Sequence, residues 1–359
     1  MAQIHSYQLN FSVQRNPADM GMDTQLLLKY RENLKQNFPA CKQMMVTRKG
    51  QLVFQFVNSH PQVGVRMTLV ELLYKIVLPF FPRLRDSMID SRLSSWNTRS
   101  VTKNILSAIT GIALNKGIIR DLNHTLRDFL DNVPMDKRTI TLKQLLTMTS
   151  GLPFTDNAMV MSSWLRSANW IEHILKLPLE ASPGSRFVYS TANSHLLAAI
   201  LNKQLKGQLR NFTQKELFEP LDFGTPYWET DPQGTPFGGA NLFLTIEDML
   251  KFGYLYLQEG RWNNKQMIPQ KWVQDSITPF IHAADHYEYG YYWWLRSFQV
   301  PHQNELVSSF CAAGVGGQRI HVIPKYEIVI AGISRTSLFA NTEILDNLIE
   351  QFILPAIQF

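Results

Sequence analysis

Strand-like patterning occurs at both ends of this chain, and a long helical middle separates the two ends. Near the N-terminus, apolar residues are dense from Met44 to Val57 on both sides of Lys49-Gly50, which reads as a hairpin turning at that dipeptide. Near the C-terminus, Tyr289 to Leu295, Leu306 to Ala313, Gln318 to Ile323 and Glu327 to Ser334 read as strands. A helix is expected after them, from about Thr342 to Ile353. Residues from about 97 to 276 carry mostly helical periodicity. Strands at both ends of a helical middle imply one sheet assembled from both termini, which is an α+β architecture with a helical domain inserted into it. The expected division is a discontinuous sheet domain over 1–96 and 277–359 and a helical domain over 97–276. The segment from about 62 to 94 reads as an insertion in the sheet domain. An earlier helix is expected from Thr24 to Gln36, with Leu27, Tyr30 and Leu34 on one face and Asp23 as its N-cap.

Composition narrows the function classes. The 359 residues suffice for about two domains, and 45% hydrophobic content excludes a disordered or fibrous chain. Charged residues are 18% of the total, low against the usual ~25%. Cys41 and Cys311 are the only cysteines, too few for a disulfide scaffold. The net charge of +6 comes from scattered lysines and arginines without a basic stripe, so no nucleic-acid partner is expected. No stretch approaches the ~20 apolar residues of a membrane span. The nearest, Thr68 to Pro82, is broken by Glu71, Lys75 and Pro79. The N-terminus lacks the cationic-then-apolar pattern of a signal peptide, so a cytoplasmic location is expected and the sequons at Asn10, Asn123 and Asn211 read as chance matches.

Ser100-Val101-Thr102-Lys103 opens a strong helical pattern in which Ile105, Leu106, Ile109, Ile112 and Ala113 recur at helical spacing, and Gly117 is a natural stop. Ser100 falls in the first turn, and Lys103, three residues on, lies on the same side. A helix N-terminus offers free N–H groups and partial positive charge to a developing anion. A serine hydroxyl needs an adjacent base to become a competent nucleophile, and a lysine held neutral by its surroundings can be that base. The same four residues would also describe a plain helix start, and such a motif arises about once by chance in a chain of this length.

The surrounding segments add weight. Ile140 to Leu152 contains Met148-Thr149-Ser150-Gly151-Leu152, and Pro183 to Leu197 contains Pro183-Gly184-Ser185 and Tyr189-Ser190-Thr191. Leu217-Phe218-Glu219-Pro220-Leu221 and Leu244-Thr245-Ile246-Glu247-Asp248-Met249 follow, and then Ala313-Gly314-Val315-Gly316-Gly317. In order and spacing this resembles the serine beta-lactamase-related family, which includes class C beta-lactamases, penicillin-binding proteins, esterases and 6-aminohexanoate-dimer hydrolases. The resemblance spans about 40 to 355. It implies a beta-lactamase/transpeptidase-like fold, with an antiparallel sheet flanked by helices and an inserted all-helical domain. It also implies an acyl-enzyme mechanism on a small-molecule ester or amide, with no cofactor and no metal.

By that resemblance Ser100 is the nucleophile, Lys103 its base partner and Tyr189 the second-motif tyrosine, whose phenol relays a proton to the leaving group and then activates water. The N–H groups of Ser100 and Val315 would form the oxyanion hole. Thr191 stands where many relatives carry asparagine, which weakens an amide-binding role there. Asn193 is a candidate to line the site or to cap a helix. The third motif departs further. Relatives that act on beta-lactams carry Lys-Thr-Gly or His-x-Gly on the strand edging the site, and here the triplet is Ala312-Ala313-Gly314. The cation that would hold a carboxylate is gone, which favours a carboxylesterase or small-amide hydrolase over a true beta-lactamase or D-amino-acid peptidase. Gly314 and Gly316 keep the close backbone approach to a ligand that glycine allows. A ligand sensor or scaffold that acylates without turnover is the alternative outside the hydrolases.

Three other features stand apart from the motifs. Tyr289 to Trp294 is expected to form a strand near the cleft, its aromatics mostly core with some walling an apolar pocket. His282 and His286 are spaced i, i+4, but a zinc site needs a third ligand and a stable helix. Leu69, Leu72, Leu73 and Ile76 could share an apolar helix face, read as a flap beside the site, with a homodimer or membrane-surface contact through 68–82 as the alternative.

Overall fold

A computed structural model describes residues 11, 13–61, 91–92, 94–155, 163–300, 305–335 and 343–358. The insertion over 62–94, with its apolar stretch 68–82, lies almost wholly outside the described residues.

Among the described residues, eight antiparallel strands form one sheet, and both ends of the chain contribute to it. The strands used below are β1 (Cys41–Arg48), β2 (Gln51–Val57), β3 (Ser95–Asn97), β4 (Phe243–Leu244), β5 (Ile281–Ala284), β6 (Tyr287–Tyr289), β7 (Trp294–Val300), β8 (Glu305–Gly314), β9 (Gln318–Ile323) and β10 (Ile328–Ser334). The order across the large sheet is β2-β1-β10-β9-β8-β7-β6-β5. The hairpin expected near the N-terminus is β1–β2, turning at Lys49 and Gly50, whose φ values of 50° and 72° suit a tight two-residue turn. β1 then pairs with β10, placing Met45 opposite Ala331. The short strands β3 and β4 lie apart from this sheet, in a three-stranded sheet completed by Ser91–Arg92, and join Asn97 to Phe243.

Two layers cover the sheet. On one face lie α1 (Thr24–Asn37) and α5 (Glu343–Leu348), packed through Leu27, Tyr30, Leu34, Leu345 and Leu348 onto Val46, Phe54 and Ile330. Asp23 caps α1 by accepting from the N–H groups of Gln25 and Leu26. On the other face lie α2 (Thr102–Asn115), α3 (Thr191–Gln204) and α4 (Ile246–Leu257), within a larger apolar cluster. α4 lies directly on the sheet: a Cβ on Gly253 would stand 2.6 Å from Val329 Cγ1 and 2.7 Å from Ile320 Cγ2, so only glycine permits that approach. α2 is buried at every residue from Thr102 to Ala113, which makes it the central helix of this layer.

One expected strand is broken. Tyr289 to Leu295 divides into the end of β6 and the start of β7, with residues 290–293 forming a turn. A Cβ on Gly290 would lie 2.1 Å from the Ser276 carbonyl oxygen, and Tyr292 has a φ of 67°. The turn is held from outside the sheet: the Tyr292 N–H donates to Leu146 O, and Asn104 Nδ2 on α2 donates to Tyr292 O at 2.9 Å. The histidine pair is also not helical. His282 lies in β5, and the chain turns at Asp285 (φ 42°) before His286. His282 faces Glu288 at 3.0 Å, and among the described residues no group of three His, Cys, Asp or Glu side chains could hold a metal ion.

Candidate active site

The site forms where α2 begins, beneath the end of β8. Residues Arg99–Val101 make one turn of 3-10 helix that runs straight into α2, and Ser100 sits half-buried at its middle. Lys103, one turn on, is 1% exposed. Its Nζ lies 2.9 Å from Ser100 Oγ, 2.9 Å from Thr191 Oγ1 and 3.0 Å from the carbonyl oxygen of Gly239. As an ammonium the group donates to all three. As a free amine it donates to Thr191 and Gly239 and presents its lone pair to the Ser100 hydroxyl. The same geometry therefore fits a lysine before and after it takes a proton from serine.

Gly239 reaches Lys103 because the loop 238–241 lies close against α3. A Cβ on Gly238 would stand 2.2 Å from the Ser194 carbonyl oxygen, and one on Gly239 2.1 Å from Thr191 Cγ2. The next polar residue of the loop, Asn241, begins a buried chain of hydrogen bonds. Its Nδ2 donates to Glu229 Oε2, and its Oδ1 accepts from Asn97 Nδ2 at 2.8 Å. Asn97 Oδ1 in turn accepts from the Arg99 N–H at 2.9 Å. Arg99 is left-handed (φ 51°), which costs an L-residue about 1 kcal/mol. The Asn97 side chain thus holds the strained residue that immediately precedes Ser100.

Tyr189 ends the segment before α3. The Lys103 Nζ lies over the Tyr189 ring, 5.0 Å from its centroid. The ring stacks on Trp294, with centroids 5.7 Å apart and planes at 24°. Tyr292 stands near it with a fully buried hydroxyl; burial first, and then Tyr189, push that phenol well above its ordinary range of about 10. Tyr292 is therefore a neutral neighbour, not a second acid at neutral pH.

β8 ends against the nucleophile. A Cβ on Gly314 would stand 2.5 Å from the Thr98 carbonyl oxygen and 3.1 Å from Arg99 Cβ. Only glycine lets the strand come this close to the turn carrying Ser100. Val315, next in sequence, is 40% exposed and opens the turn through Gly316 and Gly317, with φ values of 86° and 90°.

Ser100, Lys103, Tyr189, Thr191, Gly314 and Val315 thus come from three distant parts of the chain to one place. Two expected lining residues are fully buried. Asn193 is fully buried: its Oδ1 accepts from Ser150 Oγ, and its Nδ2 faces Met148 Sδ at 3.3 Å, so its amide ties α3 to the distant stretch 148–150. Ala312 is fully buried in the apolar cluster, on the same side of β8 as Gly314, and brings only a methyl group there. Thr191 turns its hydroxyl to Lys103, not outward. Reading the sequence missed the Gly239 carbonyl and the network of Glu229, Asn241 and Asn97. Gly238-Gly239 was the available signal, since paired glycines mark close backbone approach.

Comparison with known proteins places this arrangement. The fold is similar to that of a Bacillus anthracis structure assigned as a 6-aminohexanoate-dimer hydrolase, at TM-score 0.68 and 19% identity, over 97% of this chain and 86% of that one. It is similar to the penicillin-binding protein of Bacillus halodurans, at TM-score 0.62 and 17% identity, over 90% and 99%. It is also similar to EstCE1, described as a hydrolase with promiscuous acyltransferase activity, at TM-score 0.64 and 14% identity, over 91% and 97%. At these identities the likeness shows a shared fold. The sequence model named Beta-lactamase matches residues 94–349, which contain the whole site just described, and the chain belongs to the beta-lactamase family.

Proposed function

We propose that this protein is a serine hydrolase that cleaves a small ester or amide through an acyl-enzyme. The observation that carries the reading is the buried amine of Lys103, 2.9 Å from Ser100 Oγ, with its other two partners, Thr191 and Gly239, also neutral oxygens. Ser100 Oγ attacks the carbonyl carbon as its proton passes to Lys103. The tetrahedral oxyanion is held by the N–H groups of Ser100 and Val315, each such donor being worth ~3–4 kcal/mol in related chemistry. The Tyr189 phenol, beside the same amine, hands a proton to the leaving alcohol or amine and then takes one from the water that releases the acyl group.

The strand edging the site supports an ester or small amide over a carboxylate-bearing beta-lactam or D-peptide. Its triplet is Ala312-Ala313-Gly314, so it offers no cation to a substrate carboxylate. Names among the similar structures, a 6-aminohexanoate-dimer hydrolase and a promiscuous acyltransferase, fit acyl transfer to and from small molecules.

A fluorophosphonate probe with peptide mapping tests the nucleophile, followed by a screen of p-nitrophenyl esters, short amides and nitrocefin. Labelling on Ser100 that is abolished by Ser100→Ala, with ester turnover exceeding nitrocefin turnover, is expected. Labelling that survives Ser100→Ala overturns the assignment. Faster nitrocefin cleavage makes the protein a beta-lactamase, and a stoichiometric adduct without turnover makes it a sensor.

A further inference from the structure

We infer that the aromatic surface continuing from Tyr189 is a leaving-group subsite, selecting substrates whose departing alcohol or amine carries an aromatic ring. The inference rests on the hydrolase reading above and adds the substrate class. Five rings are contiguous there. Tyr189 stacks on Trp294 at 5.7 Å, and Phe187 meets Trp294 edge-on at 5.9 Å and Tyr289 at 5.0 Å. Tyr289 and Tyr287 meet Trp294 at 4.9 Å and 5.7 Å, both near perpendicular. Tyr289 is buried, whereas Phe187, Tyr189, Tyr287 and Trp294 are each half-exposed.

A half-exposed aromatic surface beside a nucleophile is the kind of apolar surface that marks a ligand groove. The side of the substrate it faces follows from Tyr189. A phenol that protonates the leaving group must stand on the leaving-group side of the scissile bond, and the aromatic wall extends from that phenol. The acyl side is then left to Gly314 and Val315. The rings are also held. Trp294 is bracketed by perpendicular neighbours, and the Tyr287 hydroxyl donates to the buried carboxylate of Asp346. A pre-set ring edge and face suit another flat ring, by offset or edge contact, better than a flexible alkyl chain.

Two ester series test this with the purified protein. One holds the acetyl group and varies the alcohol through ethyl, butyl, benzyl and 2-naphthylmethyl. The other holds ethanol and varies the acid through acetyl, butyryl and phenylacetyl. The expected result is kcat/KM for benzyl acetate above that for butyl acetate by about three- to tenfold. Trp294→Leu is expected to bring that ratio close to one while leaving the acyl-series ratios in place. Because ratios are read, a general loss of activity from loosening Tyr189 does not obscure the result. A ratio near one in the unmodified protein overturns the inference, and so does a Trp294→Leu effect confined to the acyl series. If neither esters nor short amides are cleaved, or cleavage survives Ser100→Ala, the hydrolase reading itself fails.

Discussion

Replacing Lys103 with methionine separates what the lysine does for catalysis from what it does for the fold. Lys103 is buried, and the partners of its Nζ are neutral oxygens at 2.9, 2.9 and 3.0 Å. Deleting three hydrogen bonds removes about 3 kcal/mol, at a net ~1 kcal/mol each. Removing the amine returns the ~1–3 kcal/mol that burying a polar group costs, and the printed partners of this amine are all neutral oxygens. Methionine matches the stem in length and volume, so no cavity forms. The two effects largely offset each other, and the stability of Lys103→Met is expected to lie within about 2 kcal/mol of the parent. Lys103→Ala, which adds a cavity, is expected to lose a further ~2–4 kcal/mol. Acylation by a fluorophosphonate or p-nitrophenyl acetate is expected to fall ~10²–10⁴-fold in both variants, the usual contribution of a positioned base. Urea titration gives the stability and burst kinetics the acylation rate. A Lys103→Met variant more than about 3 kcal/mol less stable would show that the amine holds the fold together. One that acylates at near-parent rates would show that some other group takes the proton.

Two further outcomes follow from the site's supports. Gly314→Ala places a methyl group 2.5 Å from the Thr98 carbonyl oxygen, so β8 must retreat from Ser100. A folded protein with at least ~10²-fold lower kcat/KM is expected, since such chemistry fails on displacements of about 1 Å; circular dichroism and ester kinetics check both halves. Asp346 accepts from Tyr287 and lies 2.9 Å from His321 and 3.2 Å from Arg296. Burial alone would raise this carboxyl, but His321, by hydrogen bond and charge, with Arg319 and Tyr287, holds it well below the usual carboxylate range. A depressed folded value adds stability above the unfolded value of about 4, and that stability is lost as pH falls through the folded value. Asp346→Asn is expected to cost about 3–5 kcal/mol at pH 7 and to flatten the fall in thermal midpoint below pH 4; an unchanged acid limb would refute this role.

Local signals were legible where a residue's own chemistry decides its conformation. Asp23 caps α1, Lys49-Gly50 turns the first hairpin, and the Ser100 to Lys103 spacing puts both groups on one side of a helix start. Signals failed where distant backbone decides. Tyr289 to Leu295 alternates like a strand, yet Asn104 and Leu146 pull Tyr292 into a turn through hydrogen bonds to its main chain. Asn193 has the composition of a binding residue, but Ser150 and Met148 occupy its amide, and neither is near it in sequence. The Gly239 carbonyl is invisible in any side-chain pattern, because the group that touches Lys103 belongs to the backbone. The Asn97 to Asn241 bond spans 144 residues, and only the folded chain shows that it steadies the residue before the nucleophile.

The pairing of β1 with β10 has a consequence for how the molecule is made. Thr47 and Val329, joined across these strands, are 282 residues apart. While the chain is being synthesised, the N-terminal hairpin emerges early and waits with one long apolar edge unpaired until β10 arrives. Contacts of such separation slow folding, and an open edge invites pairing between nascent chains. A chain cut short after β9 would leave the edges of β1 and β9 exposed together, so truncated products should aggregate even with every residue of the Ser100, Lys103 and Tyr189 set already in place.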